Sequence, residues 1–276
     1  MLTYLPDTHN FPSTGAAIMI TNPVLEVMMN RKSIRAYTEE MPSDEVIEAV
    51  VRAGMQAPFA FQMGSLLLSR KQEEHPFGAP LMFAILVDSY RHEAMMAKRG
   101  WSMATNDLSL LFFGIQDAAY MAQNMVIAAE SLGMGSCFLG WAPYEAEEFA
   151  AATNLPKRVF PLVHLVMGYP AEDPPTRPRY PLSYTLYEDA YPRVEDDVVA
   201  AAMQQMDEGY LAQDYYKKEK IIIPLEVDRE ETFTYETYSW TEHISRKTGQ
   251  WLKTPRDILD PLNACGFKIL QDEQEE

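Results

Sequence analysis

Four residues near the start of the chain could bind a phosphate group. Arg31, Lys32, Ser33 and Arg35 place three cations and a hydroxyl within five residues. Arginine and lysine form charge-assisted hydrogen bonds with phosphate oxygens, and a planar guanidinium can use two donors at once. The chain carries a formal charge of −17, which repels phosphates, so a bound phosphate needs a local exception of this kind. The alternative is a positive patch at the end of a helix, where cations favour the carbonyl end of the dipole.

The composition restricts the classes of function. The chain has 276 residues with 47% hydrophobic and 23% charged side chains, typical of one large globular domain or a domain with an appendage. Nucleic acid is not an expected partner, because its binding needs a basic surface and this chain has 23 Lys and Arg against 40 Asp and Glu. Cys137 and Cys265 suit neither a disulfide framework nor a zinc motif, and the histidines lack ligand spacing. A protein of the reducing cytoplasm without a metal site is predicted.

Helices and strands are predicted to alternate irregularly around this basic segment. Asn22 and Pro23 provide a cap and a first turn for a short helix that ends at the segment, and Ser43 caps a second helix. Apolar runs of strand length lie at 66–69, 81–87 and 160–167. This mixed order predicts an α+β domain in which helices pack on a small sheet.

The long apolar stretch 107–132 is predicted to be the central helix. Polar residues interrupt it too often for a membrane span, which needs about 18 uninterrupted apolar residues. A soluble helix that is apolar on most sides is buried by its own domain or by a second subunit, so a dimer interface is also predicted here. The glycines between Gly133 and Gly140 lack the spacing of a dinucleotide-binding loop and are interpreted as a helix C-cap. A short helix is predicted near 144–152, and His164 is interpreted as a hydrogen-bonded core histidine.

The character of the chain changes from about Pro170. A proline-rich segment that contains Arg177 and Arg179 is predicted to be extended, and residues 194–220 are helical by pattern. The predicted organisation is an N-terminal arm without a signal-peptide pattern, a main domain and a C-terminal extension, at 1–21, 22–181 and 182–276. The extension is interpreted as a cover for the core or for a partner subunit, and a substrate lid is the alternative.

The basic segment is the first of several motifs that follow one another in register. They are Asn30–Tyr37, Ala53–Gln62, Gly114–Cys137, and Val166–Pro170 followed by Arg177-Pro178-Arg179. In this order and at these separations, the chain resembles the nitroreductase family of FMN-dependent oxidoreductases over roughly residues 22–181. The resemblance implies an α+β fold built as an intertwined homodimer, with two FMN sites at the subunit interface.

The resemblance also assigns FMN contacts to positions of this sequence. Arg31, Lys32, Ser33 and Arg35 match the family's phosphate and ribityl contacts, and Arg177 and Arg179 match the late basic residues that complete the phosphate site. A loop beside the isoalloxazine ring and a turn at its N5 edge are also implied. The loop contributes Pro58, Phe59, Ala60, Gln62 and Met63, and the turn contributes Leu139 and Gly140.

The chain departs from the family pattern in that loop. Gln62 stands where the family commonly has Asn, and it keeps an amide that can donate and accept hydrogen bonds. Gly64-Ser65-Leu66 replaces the common Gln-Pro-Trp, so an aromatic wall is lost and a nitroaromatic acceptor cannot simply be transferred from the family.

The implied reaction relies mostly on the cofactor. NAD(P)H would give a hydride to flavin N5, and a small acceptor such as a nitro, quinone or enone compound would then take the electrons in ping-pong order. No side chain is assigned as an obligatory acid or base, and either water or a tyrosine of the extension could supply a proton. Two alternatives stay open: other flavin chemistry on the same fold, such as dehalogenation or flavin fragmentation, and a non-enzymatic flavin-binding or sensing protein.

Overall fold

The computed structural model describes residues 20–251 and 254–269, so most of the predicted N-terminal arm and the acidic tail lie outside it. The chain forms two compact units. The first contains Asn22–Pro174 together with residues 254–269, and the second contains residues 175–251. The division therefore falls seven residues before the predicted boundary at 181, and the last described residues group with the first unit rather than with the rest of the predicted extension.

Side-chain caps begin the first two helices. Asn22 Oδ1 accepts hydrogen bonds from the amides of Val24 and Leu25, both at 3.0 Å, which confirms the predicted cap of the first helix. Ser43 caps the second helix, as predicted. The α-helices of the described residues are α1 Pro23–Asn30, α2 Asp44–Met55, α3 Tyr90–Lys98, α4 Asp107–Ser131, α5 Ala146–Thr153, α6 Asp196–Ala212, α7 Tyr215–Glu219, α8 Trp240–Gln250 and α9 Arg256–Ala264.

One antiparallel sheet lies in the first unit. Its strands are β1 Gly64–Ser69, β2 Leu81–Asp88, β3 Gly135–Leu139 and β4 Val159–Gly168, in the order β1-β2-β4-β3. The three predicted strands and the α+β class are confirmed. The interpretation of the glycine segment is correct for Gly133, whose φ of 78° ends α4, but Gly135 begins a strand that was not predicted.

The predicted central helix is confirmed as α4, which packs against α2, β1 and β2. Its buried face includes Ala118, Met125 and Ala129, each completely buried. Leu262 and Phe267, from α9 and the turn after it, belong to the same hydrophobic core. Among the described residues, no helix is long and apolar enough to cross a membrane.

Arg158 fixes the returning segment 254–269 to the rest of the first unit. Its guanidinium donates to both carboxylate oxygens of Asp107 at 2.7 and 2.8 Å, to Glu93 at 2.5 Å and to the Gly266 carbonyl at 2.9 Å. It also lies 4.7 Å from the centre of the Phe267 ring. Arg158 adopts a left-handed backbone conformation with φ of 74°, which an arginine rarely takes. One partly buried cation therefore joins α3, α4 and the C-terminal segment.

The second unit has its own small core. The predicted helical stretch 194–220 is confirmed as α6 and α7, which are separated where Asp214 takes a φ of 51°. Arg246 is buried and donates to Glu231 and Glu242 at 2.6 to 2.8 Å. The hydrogen bonds from Arg246 lower the pKa of Glu231 to about 2. The centre of this core is formed by Met206, Tyr210, Tyr216 and Tyr238.

Candidate active site

The basic segment runs as an extended chain beside β3. The amide of Ile34 donates to the Ser136 carbonyl at 3.0 Å, and Ser33 forms a parallel bridge with Ser136. Ile34 is buried, and a Cβ added to Gly135 would lie 2.3 Å from its Cγ1. Glycine at 135 therefore allows the segment to approach the sheet closely, which the sequence pattern alone did not indicate.

Two of the predicted phosphate ligands have free side chains. Lys32 forms an ion pair with Asp173, and the backbone amide of Arg35 donates to Glu172. The guanidinium groups of Arg31 and Arg35 form no hydrogen bond or ion pair with any other residue that the structure describes. Their donors are therefore available to an anion.

A half-buried carboxyl group, that of Glu130, lies next to Arg31 and Lys32. Burial raises the pKa of Glu130, at the end of α4, although the positive charges of Arg31 and Lys32 act in the opposite direction. Its Oε1 is buried and has no hydrogen-bond partner within the described part of the chain. Acidic residues therefore place negative charge beside the basic segment, while Arg31 and Arg35 keep free donors. These acids are Glu130, Glu172 and Asp173.

The predicted flavin loop is held by α4. Asp117 is 4% exposed, and its carboxylate accepts hydrogen bonds from three loop amides. Ala60 donates to Oδ1 at 2.7 Å, and Phe61 and Met63 donate to Oδ2 at 3.0 Å. Gln62, between the last two donors, takes a left-handed conformation with φ of 57°. In the sequence, Asp117 is one of the polar residues that interrupt the apolar stretch 107–132, and that interruption was the available signal for its role.

Three further groups bind the carbonyls of the same loop. His92 Nε2 donates to the Phe61 carbonyl at 2.6 Å, and the Asp88 amide donates to the Met63 carbonyl at 2.8 Å. Arg91 donates to the Gly64 carbonyl at 2.8 Å and pairs with Asp88 at 2.8 Å. Arg91 and His92 lie on α3, a helix that was not predicted, so sequence reasoning missed both.

A cavity of about 430 Å³ lies beside the loop, within the size range of small-ligand sites. The predicted residues Pro58, Phe59 and Gln62 line it, and Leu66 contributes to its apolar wall. Met63 instead is buried in the core, and Ala60 is exposed with its amide bound to Asp117. The side-chain amide of Gln62 has no hydrogen-bond partner among the described residues and is free to bind a ligand.

The other predicted contacts lie at the end of β3 and in the second unit. Leu139 is half-buried and Gly140 is exposed, and a Cβ added to Gly140 would meet no described atom within 4 Å. Arg177 donates to Gln213 at 2.7 Å and stacks 4.0 Å from the centre of the Tyr215 ring. Arg179 donates to the carbonyls of Arg177 and Pro178, both at 2.9 Å. The phosphate role of both arginines stays a prediction.

His164 differs from its interpretation as a hydrogen-bonded core histidine. It lies in β4 and its ring centre is 4.7 Å from that of Phe149. Its Nε2 is buried and has no hydrogen-bond partner in the described residues, and burial lowers its pKa. The ring is packed against an aromatic neighbour rather than held by a polar network.

Comparisons with known proteins agree with this geometry. A sequence model of the nitroreductase family matches residues 28–70 and 67–169, which together span just over half of the chain. The chain is 28% identical over 204 residues to an oxygen-insensitive NADPH nitroreductase of Salmonella typhimurium, covering 69% of this chain and 83% of the relative. It is 27% identical over 264 residues to an FMN reductase [NAD(P)H] of Bacillus subtilis, covering 90% and 99%.

The fold is shared with solved structures as well. NfrA2 of B. megaterium superposes with a TM-score of 0.76 at 21% identity, covering 91% of this chain and all of the other. Because it covers 91% of this chain, the likeness extends beyond the segment that the family model matches. This chain belongs to the nitroreductase family.

Proposed function

We propose that this protein is an NAD(P)H-dependent FMN oxidoreductase that reduces a small organic acceptor, such as a nitro, quinone or enone compound, by a ping-pong mechanism. The observation that carries the proposal is the pair of unpartnered guanidinium groups, Arg31 and Arg35, in a chain of charge −17. Arg31 is half-buried and Arg35 is exposed. Clustered cations without an acidic partner, in a protein of this net charge, favour an anionic ligand. Its relatives include an NADPH nitroreductase and an FMN reductase, which supports a nicotinamide reductant and a flavin cofactor.

The residues of the candidate site fit FMN. Arg31, Arg35 and the Ser33 hydroxyl suit a phosphate dianion, and the open space at Gly140 allows a flat ring to approach the backbone. The free amide of Gln62 can donate to and accept from the polar pyrimidine edge. Bound FMN would supply the chemistry by accepting a hydride from NAD(P)H and passing electrons to the acceptor.

The chain itself binds and orients the cofactor and shapes the acceptor cavity. Arg31 and Arg35 hold the phosphate and so fix one end of the cofactor, while Gln62 fixes the other end. Phe59 and Leu66 provide apolar walls at the cavity. Because Leu66 replaces the tryptophan common in the family, this wall is smaller, and the acceptor preference is expected to differ from that of relatives with the aromatic wall. The two cysteines are buried and free, which agrees with the cytoplasmic location that we propose.

We also propose that two copies of this chain associate through α1 and α4. Phe112 on α4 is 62% exposed and Met29 on α1 is 63% exposed, and both helices carry further exposed large apolar side chains. The two helices contact each other, and exposed apolar surface of this kind is unfavourable in water and characteristic of an interface.

Replacing Phe112 with glutamate is therefore expected to convert a dimer to a monomer, because an unpaired charge would be buried in the interface. Molar mass from light scattering during gel filtration measures this directly. The matched control is Met95→Glu on the exposed surface of α3, which should remain dimeric. A wild-type protein of single-chain mass at micromolar concentration would contradict the proposal.

The visible absorption spectrum tests the proposed activity. We expect purified or FMN-reconstituted protein to be yellow, to release FMN on denaturation, and to lose its visible absorption when NADPH is added without oxygen. Adding a quinone should restore the absorption. Protein that binds FMN but keeps its colour with both NADPH and NADH would contradict the oxidoreductase proposal and favour a binding role.

A further inference from the structure

The loop that presents Gln62 is fixed by the protein at almost every backbone group around it. Asp117 receives the amides of Ala60, Phe61 and Met63, and three other groups bind the carbonyls of residues 61, 63 and 64. This is more than a loop needs for folding alone, since exposed loops normally satisfy their amides with water. These hydrogen bonds hold the loop in one conformation before any ligand binds.

That conformation is unfavourable for the residue at its centre. A glutamine at φ of 57° lies in a region that non-glycine residues occupy rarely and only at an energetic cost. The carboxylate of Asp117 can offset such strain, because hydrogen bonds to a charged acceptor are stronger than neutral ones. Strain that surrounding contacts impose on a ligand-facing residue indicates preorganisation.

The direction of the Gln62 side chain is the result of this arrangement. Both of its neighbours in sequence are held in place. Met63 is 1% exposed in the core, and Phe61 packs edge to face on Phe113, with ring centres 5.1 Å apart. Gln62 lines the cavity with a free amide. The left-handed residue between two anchored side chains therefore fixes the one polar group that the loop offers to a ligand.

We infer that Asp117 is a positioning residue that sets the electron affinity of the bound flavin by holding Gln62 in its strained conformation. This rests on the proposed function, because it assigns the Gln62 amide to the flavin's pyrimidine edge. A hydrogen bond at that edge stabilises the negative charge that reduction adds to the ring system, so its geometry changes the relative affinity for the oxidised and reduced cofactor. Asp117 also lines the cavity, so the test must separate its action through Gln62 from a direct effect of its charge on the ring.

The test is a double-mutant cycle on the holoprotein between Asp117→Asn and Gln62→Gly. Asp117→Asn keeps the size of the side chain but turns at least one acceptor into a donor that faces loop amides. Gln62→Gly removes the amide while tolerating φ of 57° without strain. The readouts are the FMN dissociation constant, the midpoint potential of bound FMN and the hydrogen exchange of the amides of residues 60, 61 and 63.

Asp117→Asn is expected to weaken FMN binding about tenfold. It should also change the ratio of affinities about tenfold against reduced FMN, which lowers the midpoint potential by about 30 mV for a two-electron couple. In the Gln62→Gly background the potential shift should disappear, although the amides still exchange faster. The matched control is Asn124→Ala, which removes a hydrogen bond from α4 to the Ala53 carbonyl and should lower stability without changing the potential.

If Asp117→Asn does not fold, His92→Ala serves in its place, because it releases only the Phe61 carbonyl and should shift the potential in the same direction by a smaller amount. A potential shift that persists without Gln62, or no shift in a variant whose loop amides exchange faster, would overturn this inference alone. Wild-type protein that takes up no FMN would overturn the proposed function and the inference with it.

Discussion

Replacing both Arg31 and Arg35 with alanine is expected to weaken FMN binding at least about a hundredfold. Each guanidinium has free donors next to the sheet and would form charge-assisted hydrogen bonds with the phosphate, worth about 1.5 to 3 kcal/mol apiece. Two such losses correspond to a factor of at least about a hundred in Kd. Fluorescence titration of apoprotein with FMN measures the change.

Riboflavin makes this experiment specific, since it has the ring and ribityl chain of FMN but no phosphate. We expect the double variant to bind riboflavin as the wild type does, so the preference for FMN over riboflavin should collapse. Arg52→Ala is the matched control, because this arginine is on the exposed face of α2 and pairs with Glu48 one turn away. Equal losses for FMN and riboflavin would show that the two arginines support the fold rather than the phosphate.

The second large effect concerns stability. Replacing Arg158 with asparagine is expected to lower the free energy of unfolding by about 1.5 to 3 kcal/mol, because it leaves two partly buried carboxylates without their charged hydrogen-bond donor. Asparagine tolerates a positive φ, so the loss reports the contacts of the side chain and not its backbone conformation. Urea unfolding followed by circular dichroism measures it.

Comparison with two other variants separates charge from geometry. Arg158→Lys keeps the charge but cannot bind Asp107 through two parallel hydrogen bonds, so it should fall between Arg158→Asn and the wild type. Arg52→Ala, which breaks an exposed ion pair, should change stability by less than about 1 kcal/mol. A loss for Arg158→Asn no larger than that of Arg52→Ala would contradict the role of Arg158.

The same network makes a contribution that depends on pH. Burial alone would raise the pKa of Asp107, but hydrogen bonds from Arg158 and from the Lys268 amide lower it overall. A carboxyl group whose pKa is lower in the folded state stabilises the fold above its unfolded pKa, about 3.9 for aspartate, and this stabilisation is lost as the pH falls through the folded pKa. The stability difference between wild type and Arg158→Asn should therefore shrink below about pH 4.

Sequence reasoning found the elements whose signals are local. Asn22 and Ser43 are side-chain caps that act within three residues, and β2 and β4 are continuous apolar runs. It missed β3, because Ser136 and Cys137 between glycines do not form an apolar run and their burial comes from β4 and from Ile34. It also missed α3, which has no buried residue and so no apolar stripe.

The residues of the candidate site also fall into two groups, those that the sequence reveals and those that only the fold reveals. The cations at 31–35 could be recognised from residue type, because clustered charge in an acidic chain is visible in the sequence itself. The role of Asp117 could not, since its three hydrogen bonds join residues 54 to 57 positions apart and depend on the path of the loop. The same holds for Arg91 and His92, whose contacts exist only once α3 lies beside the loop.

The return of the chain to the first unit has a consequence for biosynthesis. Residues 22–174 emerge from the ribosome first, but Leu262 and Phe267 are part of the core that they form. Until about eighty further residues have been translated and the last segment has emerged, the nascent first unit exposes the apolar surface that these side chains later cover. Its folding is completed only after synthesis of residues 254–269, and a chaperone that shields this surface would act within that interval.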